Sequence, residues 1–346
     1  MVVATQESGS KMQLDFLVVM YRICAESEGK SPATVSWVTG AVRYIVNFLR
    51  DNGHSTDIRD IGAGHIRAFS LHLRRCRRFA NHPYTRPQDG LLSGHSVNGY
   101  LRALRAFWTW AEAEGFIDCN PFLRVKIPPA PKRVIDTMST YQLASLIEAV
   151  DLPTPQGYRD YTMILLLADT GLRVSELVGL KLHNLNLEKK LLKVMGKGSK
   201  ERMVPFGARA QRALMHYLNL HRPESARPLV ENLFLTEMGE AMKKRRVETI
   251  VARYGQKAGI VGVRCSPHTL RHTASIMWIR NGGDVFSLQQ ILGHSTLDMV
   301  RIYVNLAQSD IEAAHRKYSP ADNLEIKAPR HSRSSRVHVP VQKVFK

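Results

Sequence analysis

Apolar positions in the first third of the chain repeat every three or four residues, the spacing of one face of an α-helix. Leu14, Leu17, Val18 and Tyr21 predict a helix from Met12 to Ala25. Ser31-Pro32 reads as N-cap and first helical position, opening a second helix through Trp37, Val38, Val42, Ile45 and Leu49 that stops at Asn52-Gly53. A third is predicted from Ile66 to Phe79, and a fourth from Val97 to Ala113, with Leu101, Leu104, Trp108 and Ala111 along one side. Asn81 to Gly94 is polar and reads as a loop, and Asn120-Pro121 followed by Pro128-Pro129-Ala130-Pro131 breaks the helical pattern. The expectation is a flexible start over 1–10, a compact helical domain over 11–127 and a linker over 128–135.

The second half mixes helices with short strands. Ser139-Thr140-Tyr141-Gln142 is a capping box for a helix ending near Val150, and the apolar run Arg159 to Asp169 reads as a buried helix. Gly171 supplies a turn, after which Arg173 opens another helix with Glu176 three residues on, along the same face. Leu191–Val194 and Arg202–Val204 read as strands joined by a glycine-marked turn that carries Lys197 at its tip. Ser266-Pro267 again gives N-cap and first position, which sets His268 and Arg271 side by side on a first helical turn. Gly293 ends one helix, and Ser295, with Asp298 three residues later, caps the next. In that last helix Leu297, Val300 and Val304 form an apolar side, His294 stands at the mouth, and Tyr303 follows about two turns on. The fold class expected is mainly α with a small β-sheet.

Charge changes the picture. The chain of 346 residues carries 49 Lys and Arg against 30 Asp and Glu, a net +19, and such an excess points to a polyanionic partner, nucleic acid first. Arg67, Arg74, Arg75, Arg77, Arg78 and Arg86 lie in a stretch with no acidic residue, as phosphate contacts would. Residues 321–346 form a basic tail, expected to be disordered alone. The four cysteines form no C-x-x-C pair, His268 and His272 lack a third metal ligand, and Lys197 is not in a P-loop. No zinc site and no membrane span is expected, and a cytoplasmic, nucleoid-associated location follows from the nucleic-acid reading.

Arg173, Lys197, His268, Arg271, His294 and Tyr303 make a coherent set. Guanidiniums clamp the nonbridging oxygens of a phosphate and keep their charge. A phenol can attack phosphorus, and a lysine can protonate the departing oxygen. The motifs T-G-L-R-x-S-E-L at 170–177, G-K-G-x-K-E-R at 196–202, H-x-L-R-H-T at 268–273 and L-G-H at 292–294, with tyrosine nine residues after His294, resemble those of the tyrosine site-specific recombinases, the Xer and phage-integrase family. The match spans 136–318 closely and the first half more loosely.

The resemblance implies a helical, SAM-like core-binding domain and a mixed α/β catalytic domain over 136–320 that together embrace duplex DNA. Tyr303 would be the nucleophile and form a 3′-phosphotyrosyl bond. Arg173 and Arg271 would stabilise the transition state, Lys197 would be the general acid, and His268 would assist proton transfer. His294 would hydrogen-bond the phosphate, and Glu176 would support an arginine. Strand exchange would take place in a homotetramer on double-stranded DNA bearing specific recombination sites, with a related recombinase as a possible second partner. Integration and excision of a mobile element is the leading biological use, chromosome or plasmid dimer resolution the next. A type IB topoisomerase and a DNA-binding protein without activity are the alternatives of another class.

Because the bond energy is kept in the covalent intermediate, the resemblance implies no cofactor, metal or nucleotide. Cleavage of a site-bearing duplex is expected to proceed at an unchanged rate in EDTA and without ATP, while binding weakens steeply with salt. A cleavage step that stops on magnesium removal would refute this.

Overall fold

The computed structural model describes residues 12–78, 86, 88–129, 135–196, 200–294, 296–307, 315–316 and 318–324. The chain is mainly helical with two small sheets, and it divides into two compact units between residues 134 and 135.

The first unit is built on α1 (Leu14–Ser27), α2 (Pro32–Asp51), α3 (Ala63–Arg75) and α4 (Gly94–Ala113). Ser31 accepts from the Thr34 N–H at 3.2 Å with Pro32 behind it, and Ser93 caps α4 in the same way through Ser96. The periodic faces meet in one core, where Leu17, Ile45, Leu49, Phe69, Phe107 and Trp108 are wholly enclosed. Trp37 departs from that pattern: it is largely exposed, with its ring against Tyr100 at 5.0 Å between centroids.

The third helix stops four residues before the expected end at Phe79. Cys76 takes extended backbone angles, and β1 (Arg77–Arg78) then pairs antiparallel with β2 (Gln88–Leu91), inside the stretch expected to be a loop. The Leu92 N–H to Cys76 O bond at 3.0 Å closes the base of this hairpin, and a bulge separates its two pairs. All of its residues are exposed, so no alternation of apolar and polar positions marked it. Residues 79–85 and 87 of that stretch, residues 1–11 at the start and 130–134 of the linker lie outside the described residues, as does the tail from 325.

The second unit comprises α5 (Thr140–Glu148), α6 (Pro155–Thr170), α7 (Val174–Gly179), β3 (Leu185–Asn186), β4 (Leu191–Met195), β5 (Glu201–Pro205), α8 (Ala208–His216), α9 (Lys244–Lys257), α10 (Pro267–Arg280), α11 (Val285–Leu292) and α12 (Asp298–Ala307). Ser139 and Gln142 form the expected capping box, and Ser266 caps α10 through the Thr269 N–H. The three strands pair antiparallel in the order β3-β4-β5, with Leu192 opposite Val204 and Val194 opposite Arg202. α6 runs through the core, burying Met163, Ile164, Leu166 and Leu167. A smaller cluster of Ile276, Leu288, Leu292, Val300 and Tyr303 ties α10, α11 and α12 together. In α12, Leu297 does not join this cluster. It precedes the helix and is exposed, while Ser295 lies outside the described residues.

The N-terminal half of α6 is pinned by a buried charge network. The Asp160 carboxylate, 1% exposed, accepts from Arg159 Nη2 at 2.8 Å and from Arg253 Nη2 at 3.0 Å. Replacing Asp160 by alanine leaves the buried Arg159 with only the more distant carboxylate of Glu237, at 3.8 Å, so chemical denaturation of Asp160→Ala is expected to show a loss of about 3–5 kcal/mol. A variant as stable as the parent would mean the network is relaxed by solvent.

Candidate active site

Arg173, Glu176, Arg202, Arg271, His294, His272 and Tyr303 converge within the second unit. Gly171, in the left-handed region at φ 62°, ends α6 and lets Arg173 stand as the N-cap of α7. Glu176, on the first turn of α7, sends one oxygen back to the Arg173 N–H at 2.8 Å and the other to Arg173 Nη1 at 2.9 Å. The same carboxylate takes both terminal nitrogens of Arg202 from β5, at 2.8 and 2.9 Å. Burial alone would raise the Glu176 pKa. The Arg202 and Arg173 hydrogen bonds outweigh it and hold the group below its ordinary value, so it is an anion at neutral pH.

Arg271 on α10 is 3% exposed and, among the described residues, has no carboxylate bonded to it. Its Nη1 donates to Gly171 O at 2.7 Å, and its Nη2 donates to Leu292 O at 2.9 Å and meets His294 Nε2 at 2.8 Å. Burial first, and repulsion from Arg173 second, lower its pKa to about 10, which still leaves it charged at neutral pH. Three guanidiniums therefore surround one carboxylate, and two positive charges are left over in a cluster largely withdrawn from water. Such a cluster is a receptor for an anion of about two charges.

His294 follows Gly293, whose φ of 64° ends α11. A guanidinium only donates, so His294 Nε2 must accept and the ring proton must sit on Nδ1. That Nδ1 is buried and has no hydrogen-bond partner among the described residues. Burial, then Arg271, Arg173 and Arg202, lower the ring's pKa to about 4, so it is neutral at pH 7 with an N–H to spare.

Tyr303, on α12, is 4% exposed, and its Oη lies 2.8 Å from His272 Nδ1. Burial raises the phenol's pKa against the pull of Arg271 and Arg173. His268 is exposed one turn before His272, with ring centroids 4.3 Å apart. Arg173, Ser175, Glu248, Arg264, His268 and Arg271 share in lining an open cavity of about 700 Å³ beside the cluster.

Of the six residues expected to act, five fall here. Lys197 lies outside the described residues, though Gly196 N–H to Lys200 O at 2.8 Å closes its hairpin. Glu176 supports Arg173 and also Arg202, a residue given no role from the sequence. The signal for Arg202 was its place two residues before Val204, on the buried face of a strand, where a charge needs a partner. His272 was weighed only as a metal ligand. Among the described residues no group of three or more His, Cys, Asp or Glu could hold a metal ion.

In the first unit Arg67, Arg74, Arg75, Arg77, Arg78 and Arg86 are all exposed. Arg67 Nη2 donates to Arg124 O at 2.7 Å and Arg78 Nε to Leu91 O at 3.3 Å, which turns these two partly inward.

Residues 136–310 match the model of the phage integrase family. The chain is 32% identical over 296 residues to tyrosine recombinase XerC of Oceanobacillus iheyensis, covering 85% of this chain and 92% of that protein. It is 33% identical over 229 residues to tyrosine recombinase XerD of Staphylococcus aureus, covering 66% of this chain and 77% of the relative. Among solved structures, the Tn1549 transposon integrase in complex with transposon right end DNA is similar at a TM-score of 0.68 and 20% identity, over 90% of this chain and all of that one, 100%. A lambda integrase dimer bound to a COC′ core site is similar at 0.61 and 17%, over 83% of this chain and 97% of that one. At these identities the likeness is one of fold.

Removing the shared carboxylate tests the cluster. Glu176→Ala leaves Arg202, whose side chain is 13% exposed, buried without its anion, and is expected to cost about 3–5 kcal/mol in a denaturant titration. A high concentration of sulfate or phosphate should restore part of that loss; no loss, or no response to anions, would mean the arginines do not share one field.

Proposed function

The chain belongs to the phage integrase family and is a tyrosine recombinase, and from that premise we propose that it cuts and rejoins duplex DNA at specific sites through a 3′-phosphotyrosyl bond to Tyr303. The observation that carries this is the excess of positive charge around Glu176, set in one cluster with the tyrosine.

The scissile phosphodiester fits: it carries one negative charge at rest and about two in the pentacoordinate transition state. Arg173, with its side chain 38% exposed beside the cavity, and Arg271 behind it would hold the nonbridging oxygens. Each such donor is worth about a hundred- to a thousand-fold in rate when it is pre-aimed at the charge of the transition state. His294 would give its spare Nδ1–H to the same group. The Tyr303 oxygen bonds to phosphorus as the P–O5′ bond breaks, and the departing oxygen takes a proton from Lys197. His268, at the cavity wall, would assist proton transfer there. Rejoining reverses these steps with the 5′-hydroxyl of a new strand as attacker.

The exposed arginines of α3 and β1 would track the DNA backbone, and a homotetramer on two sites would carry out the exchange. Integration and excision of a mobile element is the use we favour, the chain sharing its fold with the Tn1549 transposon integrase over 90% of its length. A second reading, dimer resolution, is supported by the likeness to XerC over 92% of that protein.

Tyr303→Phe should bind a cognate site as tightly as the parent yet form no SDS-resistant adduct. An adduct in that variant would place the nucleophile elsewhere, with Tyr318 tested next. Lys197→Ala should cleave ordinary DNA slowly and regain most of its rate on a 5′-bridging phosphorothiolate, whose thiolate leaves without a proton. Arg173→Ala should gain nothing from the sulfur, since its task is charge stabilisation.

A further inference from the structure

We propose that Glu248 reads a cytosine beside the cleaved phosphate, so that the DNA this chain selects carries a C·G pair facing α9 in each half-site. This rests on the reading of Arg173 and Arg271 as the receptor of the scissile phosphodiester. Glu248 is exposed on the second turn of α9 and lines the cavity that those two arginines share with Arg264 and His268. Among the described residues no ion pair or hydrogen bond joins its carboxylate. Lys244 and Arg245 stand four and three residues before it, at the spacing of helical ion pairs, and still leave it unpaired. Glu176, by contrast, is held by Arg173 and Arg202. A free carboxylate in a cavity of cations repels the phosphates the cavity would attract, so its task there is not the backbone.

The helix presents that carboxylate as a groove reader would. Val247, Ile250, Val251 and Tyr254 are buried and fix one side of α9 against the core. Glu248, Ala252 and Gln256 recur every four residues on another side, all exposed and all on the cavity wall. At the start of the helix Lys243, Lys244 and Arg245 are exposed and placed to meet phosphates at the edge of a major groove, which is wide enough to admit an α-helix. Phosphate contacts set the register, and the residues one turn further in reach the base edges. A carboxylate can only accept a hydrogen bond. Guanine turns N7 and O6 to the major groove and thymine O4, all acceptors that Glu248 repels. Adenine offers its N6 amine with the N7 acceptor beside it. Cytosine offers the N4 amine with no acceptor of its own alongside, so it is the base that Glu248 favours.

The experiment selects bound duplexes from a library randomised around the cleavage position, using the full chain. The parent should enrich C at one position of each half-site, by roughly tenfold or more over the other bases. Glu248→Gln, which keeps the shape and adds a donor, should move the preference at that position from C to A, since an amide pairs with adenine N6 and N7. Glu248→Ala should lose the preference there alone and bind unrelated duplex more tightly, because a charge that repels phosphate is gone. The same base preference in Glu248→Gln as in the parent would overturn the proposal. A loss spread evenly over all positions would overturn it too, by reducing Glu248 to a structural residue. Because selection is read by binding, a parent that forms no SDS-resistant adduct on any selected duplex would instead fail the reading beneath it.

Discussion

The end of α11 is the point on which the site depends. A helix leaves its last four carbonyls without partners, and here all four are satisfied. The Gly293 N–H bonds Gln290 O and the His294 N–H bonds Gln289 O, both at 3.1 Å, which only the left-handed turn at Gly293 allows. The remaining two go to arginines. Arg202 Nε takes Ile291 O at 2.8 Å, while Arg271 and Arg173 take Leu292 O at 2.9 and 3.4 Å. Three guanidiniums from α7, β5 and α10 thus meet at the negative end of one helix. The carbonyls and Glu176 neutralise enough charge for the arginines to be buried, and not enough to make the cluster indifferent to an anion.

That balance explains why the arginines differ in exposure. Arg202 is fully engaged, with its fork on Glu176 and its Nε on α11, so its place is to hold the carboxylate that orients Arg173. Arg271 is enclosed and spends two nitrogens on backbone, which fixes its plane before any ligand arrives. Arg173 keeps one side open to the cavity. A side chain on Gly293 would disturb all of this at once, because a Cβ there would stand 3.0 Å from Arg202 Nε on a backbone that already disfavours it.

What could be read in the sequence was local. Caps at Ser31, Ser139 and Ser266, the turns at Gly171 and Gly293 and the helical spacing of Arg173 with Glu176 are short-range patterns, and each is found where expected. What escaped depended on long-range contact. Arg202 is one residue of a short strand in the sequence, and the partner that gives it a task, Glu176, stands 26 positions away. The β1–β2 hairpin carries polar, exposed residues whose pairing no periodicity announces. His272 and Tyr303 are separated by 31 positions and meet only because α12 packs back on α10.

The same packing links the anion cluster to the tyrosine. Leu292, whose carbonyl binds Arg271 and Arg173, also places its side chain in the small apolar cluster that buries Tyr303. Val300 and Ile276 complete the contact between α12 and α10. A shift of α11 that loosened its carbonyls from the arginines would therefore move the wall against which the phenol rests. The charge that would receive a phosphate and the group that would attack it are coupled by one residue's backbone and side chain, with only the short turn after Gly293 between them.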